Sequence, residues 1–205
     1  RYVFLLNALE DGHGGLEHRA STALVAARRD LPRVGQATAG DGYHGLLGLI
    51  SHEYFHSWNI KRLKPCDLAR IDYTRENHTT LLWFFEGFTS YYDDLLLLRA
   101  GLIDPPRYLS LIGKALNGVA ASPGRQVQSV AQSSFDAWVK YYRGDENTPN
   151  ATVSYYTKGA LVALALDLTL RKERRGTLDA VMQRLWRTSR GGPIDEQDIA
   201  AALRE

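Results

Sequence analysis

The sequence predicts an α+β fold, with N-terminal β-strands followed by a mostly helical body. Three observations lead there. Tyr2-Val3-Phe4-Leu5-Leu6-Asn7-Ala8-Leu9 is a short apolar run of strand length. From about Tyr43 onward, apolar residues recur at spacings of three and four, the period of a helix buried on one face. Strand-like segments come first and helical ones after, without alternation, which selects α+β over a parallel α/β sheet. With 205 residues, 44% of them hydrophobic, the chain is long enough for one sizeable domain over residues 1–205.

Taken in order, residues 2–9 read as a buried strand, and Asp11-Gly12-His13-Gly14-Gly15 as a tight turn. Leu16 to about Ala26 resumes strand character, and the short connection allows a hairpin with the first strand. Residues 28–43 mix charge, proline and glycine and read as a loop. A helix follows from about Tyr43 to Asn59, and an irregular connection covers 60–78. A second helix spans roughly 79–100 and stops near Gly101. Asp104-Pro105-Pro106 starts a third, with aspartate as N-cap and proline in the first turn, and Ser122-Pro123-Gly124 ends it. A shorter helix is expected over 133–143, then a polar turn over 144–150. Long helices follow over 154–174 and 177–189. Gly191-Gly192-Pro193 breaks the second, and Asp195 caps the last helix.

Composition excludes several classes of function. The formal charge is only +2, and the basic run Arg171-Lys172-Glu173-Arg174-Arg175 suits the negative end of a helix, so nucleic acid is not an expected partner. No run approaches the roughly 18 apolar residues a membrane-spanning helix needs. The single cysteine, Cys66, excludes an internal disulfide and a thiolate metal cluster. The chain opens on Arg1 inside an apolar run and stops at Glu205 inside a helix, as expected of a domain excised from a longer protein. The sequence does not assign a compartment.

The chemistry concentrates at His52-Glu53-Tyr54-Phe55-His56. Histidines four apart on a helix stand on one face, about 6 Å apart along the axis, so two neutral imidazoles reach one metal ion. Glu53 flanks that ion, where it can take a proton from the attacking water. This is the H-E-x-x-H pattern of zinc hydrolases. Leu47, Ile50, Tyr54 and Trp58 form an apolar stripe, expected to pack on the core while the histidines face a cleft.

The second helix reads Leu81-Leu82-Trp83-Phe84-Phe85-Glu86-Gly87-Phe88-Thr89 and is apolar nearly all round. An ionised carboxylate buried there is costly unless paired with a cation. No basic residue lies within four positions on this helix, so Glu86 is a candidate third ligand, with a distant arginine or lysine partner as the alternative. Asp93, seven residues on, either supports a ligand histidine or forms a solvated pair with Asp94.

The longer string His52-Glu53-Tyr54-Phe55-His56-Ser57-Trp58-Asn59-Ile60-Lys61-Arg62, followed by Glu86-Gly87-Phe88-Thr89, resembles the glycyl aminopeptidase family. That family is one of thermolysin-like zinc peptidases with a glutamate as third ligand. The Glu-Gly-Phe segment is similar to one in the larger zinc aminopeptidases. There the glutamate follows the second histidine at shorter range, whereas here 29 residues intervene. Gly14-Gly15-Leu16-Glu17-His18 is similar to their Gly-Ala-Met-Glu-Asn motif, with leucine for methionine and histidine for asparagine. Tyr156-Thr157-Lys158-Gly159 is similar to their Tyr-Glu-Lys-Gly.

The resemblance implies a thermolysin-like peptidase catalytic domain with one zinc ion per chain, held by His52, His56 and Glu86. Glu53 would act as the general base. Tyr156 would be the oxyanion donor, with Tyr155 as the near alternative. Gly14, Gly15 and Glu17 would bind substrate, the glutamate holding the α-amino group of a peptide. Small N-terminal residues, glycine or alanine, are implied, as are flanking domains outside the segment. Two other readings stand beside this one: a zinc endopeptidase in which Glu17 is structural, and a non-catalytic interaction domain with a vestigial metal motif.

Overall fold

The computed structural model describes residues 1–35 and 40–204. Three strands open the chain: β1 (Val3–Leu9), β2 (His13–Glu17) and β3 (Ser21–Ala27). They form one sheet in the order β1-β3-β2, with β3 parallel to β1 and antiparallel to β2. The expected hairpin of two strands is corrected. The stretch that reads as a turn plus one long strand is two strands, because β2 already starts at His13. The hairpin joins β2 to β3, closed by the His18 N–H on the Ser21 carbonyl at 2.8 Å, and β3 lies between β1 and β2. Gly12, at φ +146°, makes the turn after β1. Gly14 and Gly15, which read as turn residues, lie extended in β2.

β1 is not the buried strand its composition predicts. Val3, Phe4, Leu5, Leu6 and Leu9 are between 40% and 59% exposed. β1 is the outer strand, and the first helix packs mainly on β2 and β3.

That helix is α1 (Asp41–Phe55). Of the expected loop over 28–43, Arg28–Asp30 forms a 3₁₀ turn and residues 36–39 lie outside the described residues. After α1 the 60–78 segment is largely irregular, as expected. Its two-residue strand β4 (Lys64–Pro65) later pairs in parallel with β5 (Pro193–Ile194). The body then runs through α2 (Leu82–Arg99), α3 (Pro105–Ala121) and α4 (Val130–Phe135). A π-helical turn over Ala137–Tyr141 precedes α5 (Thr148–Ala151) and α6 (Tyr155–Lys172), and α7 (Leu178–Ser189) and α8 (Glu196–Arg204) close the chain.

Caps explain most boundaries. The Arg107 N–H donates to Asp104 at 2.8 Å, and Asp195 accepts from the N–H groups of Gln197 and Asp198. The helix expected over 133–143 is divided. A reciprocal Ser129–Gln132 capping box starts α4 early, and the chain then widens into the π turn. The expected polar turn over 144–150 runs into α5, which starts at Thr148.

The core centres on α2. Phe84, Phe85 and Phe88 have no exposed surface. They pack with Leu170, Leu178 and Leu185 of α6 and α7. Helices α2 and α6 approach so closely at Gly87 and Gly159 that a Cβ on Gly87 would lie 2.5 Å from the Gly159 Cα. Buried Asp167 ties α7 to this pair. Its carboxylate accepts from the Tyr91 hydroxyl, the Arg171 guanidinium and the Leu178 N–H at 2.7–2.8 Å.

Candidate metal centre

Helix α1 presents Leu46, Leu49 and Glu53 inward, and His56 follows at its C-cap, all buried. The predicted inward stripe Leu47, Ile50, Tyr54, Trp58 sits one position on, about 100° round the helix. It lines an open apolar groove with Phe4, and Tyr54 and Trp58 remain 41% and 42% exposed. The face that turns inward is the one carrying the polar motif. The reason is that the imidazoles find partners on α2, which polar groups need when buried, while Glu53 packs against Gly15 of β2.

His52 and His56 meet Glu86 of α2. The Nε2 atoms lie 3.3 and 3.2 Å from one Glu86 oxygen, the imidazole rings stand edge to face, and one ligand atom from each residue falls within 4.8 Å of the others. Ligand atoms 2.0–2.1 Å from a tetrahedral zinc are about 3.3 Å apart, so both measured edges fit such an ion. The donor set of two imidazoles and one carboxylate also suits zinc.

Each imidazole is fixed through its other nitrogen. His52 Nδ1–H donates to Asp93 at 3.0 Å, and His56 Nδ1–H donates to the Asn59 carbonyl at 2.9 Å. That leaves both Nε2 lone pairs for a metal. Of the two readings of Asp93, the structure shows the partner of a histidine. Asn59 is itself pinned to α2, its amide donating to the Phe85 carbonyl and the Thr89 hydroxyl.

Electrostatics follow from this packing. Burial would raise Glu86, but the charge and hydrogen bonds of His56 and His52 hold it down at about 2. Burial would lower His52, yet Asp93 and Glu86 carry it up to about 10. The cluster favours positive charge between its carboxylates.

Glu53 is 5% exposed, and burial raises its carboxyl against the pull of His56 and His52. Its Oε2 is buried without a hydrogen-bond partner. Gly15 of β2 lies against it: a Cβ there would stand 2.3 Å from the carboxylate carbon. A Cβ on Gly14 would meet nothing within 4 Å. Glu17, at the end of β2, is close enough for its charge to raise Glu53 and His56, and Lys61 binds it at 2.9 Å.

On the other side of Glu86, Tyr156 has its ring 6.2 Å from that of His52. Tyr155 is 1% exposed and stacks on Tyr156. Burial and the Glu86 charge push the Tyr156 phenol up, so it keeps its proton at neutral pH. A cavity of about 370 Å³ opens here, lined by Glu86, Tyr156, Leu82, Phe135 and Trp138 among others.

Three contributors escape a reading by motif. Asn59 and Lys61 belong to the recognisable string, but the Phe85 and Thr89 partners of the Asn59 amide and the Glu17 partner of Lys61 are distant in sequence. The Tyr142 hydroxyl, 3.3 Å from that of Tyr156, comes from the residue just after the π-helical turn and carries no local signal.

The M61 glycyl aminopeptidase family model matches residues 45–162, which contain most of α1, all of α2 and the start of α6. The chain belongs to that family. It is also similar to a crystal structure of an aminopeptidase N family protein from Idiomarina loihiensis, at 46% identity and a TM-score of 0.90. That likeness covers 98% of this chain and 38% of the other, so the chain spans well under half the length of that relative. The fold is thus that of a peptidase catalytic domain. No curated protein matches the chain significantly.

Proposed function

We propose that this chain is the zinc-binding catalytic unit of an aminopeptidase that releases small N-terminal residues, glycine or alanine, from peptides. The observation that carries the reading is the convergence of His52, His56 and Glu86 beside Glu53, whose Oε2 lacks a partner. Zinc bound by the three ligands would supply a Lewis acid that polarises the scissile carbonyl and activates water.

The rest is the work of this chain's own groups. Glu53, buried and raised, takes a proton from the attacking water and returns it to the leaving amine. Tyr156, protonated throughout, donates to the developing oxyanion. Asp93 and the Asn59 carbonyl keep both imidazoles turned toward Glu86. Glu17 attracts the α-ammonium of the substrate and sets its distance from the reacting carbonyl. Gly14 and Gly15 let the substrate backbone and Glu53 approach β2.

One observation favours a second reading. Glu17 is already paired with Lys61, as a structural residue in an endopeptidase would be. Hydrolysis of a glycine-initiated peptide and its N-acetylated twin by the full-length zinc-loaded protein separates the two. Cleavage of the free form alone supports the aminopeptidase, and equal cleavage of both supports the endopeptidase.

A further inference from the structure

The turn after α1 is built around a strained residue. Ile60 has φ +105°, a conformation that a β-branched side chain adopts only when its surroundings impose it. Three backbone hydrogen bonds do so: Ile60 N–H to the Leu63 carbonyl, Lys61 N–H to the His56 carbonyl, and Leu63 N–H to the Trp58 carbonyl. The same turn aims the Asn59 carbonyl at His56 and sends the Lys61 side chain to Glu17. The backbone of Lys61 is therefore anchored to the metal-binding helix, while its four-carbon stem keeps rotamer freedom.

The Lys61 ammonium sits 2.9 Å from Glu17 Oε1, and the two side chains are 30% and 18% exposed. This is the contact an α-ammonium of a substrate would make with the same carboxylate. We propose that Lys61 is a specificity-determining residue that competes with the substrate's ammonium for Glu17, an inference that rests on the aminopeptidase reading. The free-amine affinity is then the difference between two ammonium–carboxylate contacts. A substrate gains only what Lys61 gives up by swinging into solvent. A partly exposed ion pair is weak, its displacement costing up to about fivefold in an equilibrium, so the competitor tunes binding without blocking it. A competitor acts on ground state and transition state alike, so its removal is read in KM rather than kcat.

The test compares Lys61→Met, Lys61→Gln and Lys61→Arg with the parent in the full-length zinc-loaded protein, on a glycine-initiated peptide and its N-acetylated twin. The expected result is that KM for the free peptide falls on the order of fivefold in the Met and Gln variants. Lys61→Arg, which keeps the charge, stays near the parent. An unchanged or raised KM in both neutral variants, with the acetylated twin still resistant, overturns the inference and leaves the aminopeptidase reading in place. Lys61 is then a buttress of Glu17. Equal cleavage of both twins by the parent removes the amine-anchor role of Glu17, and the inference falls with it.

Discussion

Gly87 and Gly159 meet backbone against backbone where α2 crosses α6. A Cβ on Gly159 would lie 2.4 Å from the Trp83 carbonyl oxygen and 2.9 Å from the Gly87 Cα. Each glycine follows a site residue closely, Glu86 by one position and Tyr156 by three. The crossing thus fixes the separation of the carboxylate and the phenol. Gly159→Ala is expected to cost about 1–3 kcal/mol or more, because the obstacle is backbone rather than a mobile side chain. Thermal unfolding measures the loss, and zinc stoichiometry should fall as Glu86 is displaced.

Glu53→Gln keeps size and burial but removes the proposed base. It is expected to retain zinc at the parent stoichiometry and to lose about 10²–10⁴ in kcat. Metal analysis alongside kinetics checks both halves. Loss of zinc together with activity would instead make Glu53 a structural support of the site.

Asp93→Asn leaves a weaker acceptor for His52 Nδ1–H. Zinc affinity is expected to fall about 10–100-fold, measured by competition with a chelator. His56 is held chiefly by the Asn59 carbonyl, at 2.9 Å, which no side-chain substitution removes.

Tyr156→Phe is expected to lower kcat by about 10²–10³ with little change in stability. Tyr155→Phe should do far less to kcat. The Tyr155 ring is buried, and its hydroxyl reaches the Tyr142 hydroxyl at 3.5 Å. Equal effects from the two variants would sink the assignment of the oxyanion donor.

Asp167 supplies a pH prediction. Burial would raise this carboxyl, but Arg171, the Leu178 N–H and Tyr91 together hold it below the usual aspartate range. Because the folded-state value is depressed, its stabilisation is present above the unfolded value near 4 and fades as pH falls through the folded one. Asp167→Asn is expected to cost about 2 kcal/mol at pH 7, with the deficit shrinking toward pH 3. Unfolding curves at the two pH values check it. A deficit independent of pH would assign the loss to packing.

Residues differ in how far sequence alone exposes them. Glu86 is legible because a lone carboxylate among Phe84, Phe85 and Phe88 needs a buried cation, and the preceding helix offers a two-histidine site lacking a third ligand. The caps at Asp104 and Asp195 are legible because their signals are local. β1 misleads, since an apolar run reports that a strand is to be covered without saying by what. The α1 stripe misleads for the same reason: Leu47 and Ile50 outscore the polar face in hydrophobicity, yet the histidines' partners on α2 turn the polar face inward. The Lys61–Glu17 pair joins residues 44 apart, and no pattern along the chain connects them.

Position 15 carries a consequence of its own. Its residue contributes no functional group, yet any side chain there collides with the tip of Glu53 rather than with backbone. The Glu53 carboxylate would swing aside and the fold would survive. A saturation scan scored on turnover would rank position 15 among the least tolerant of the chain, while the same scan scored on abundance would pass it over. What that position supplies is empty space, and its importance would be visible only to an assay that reads chemistry.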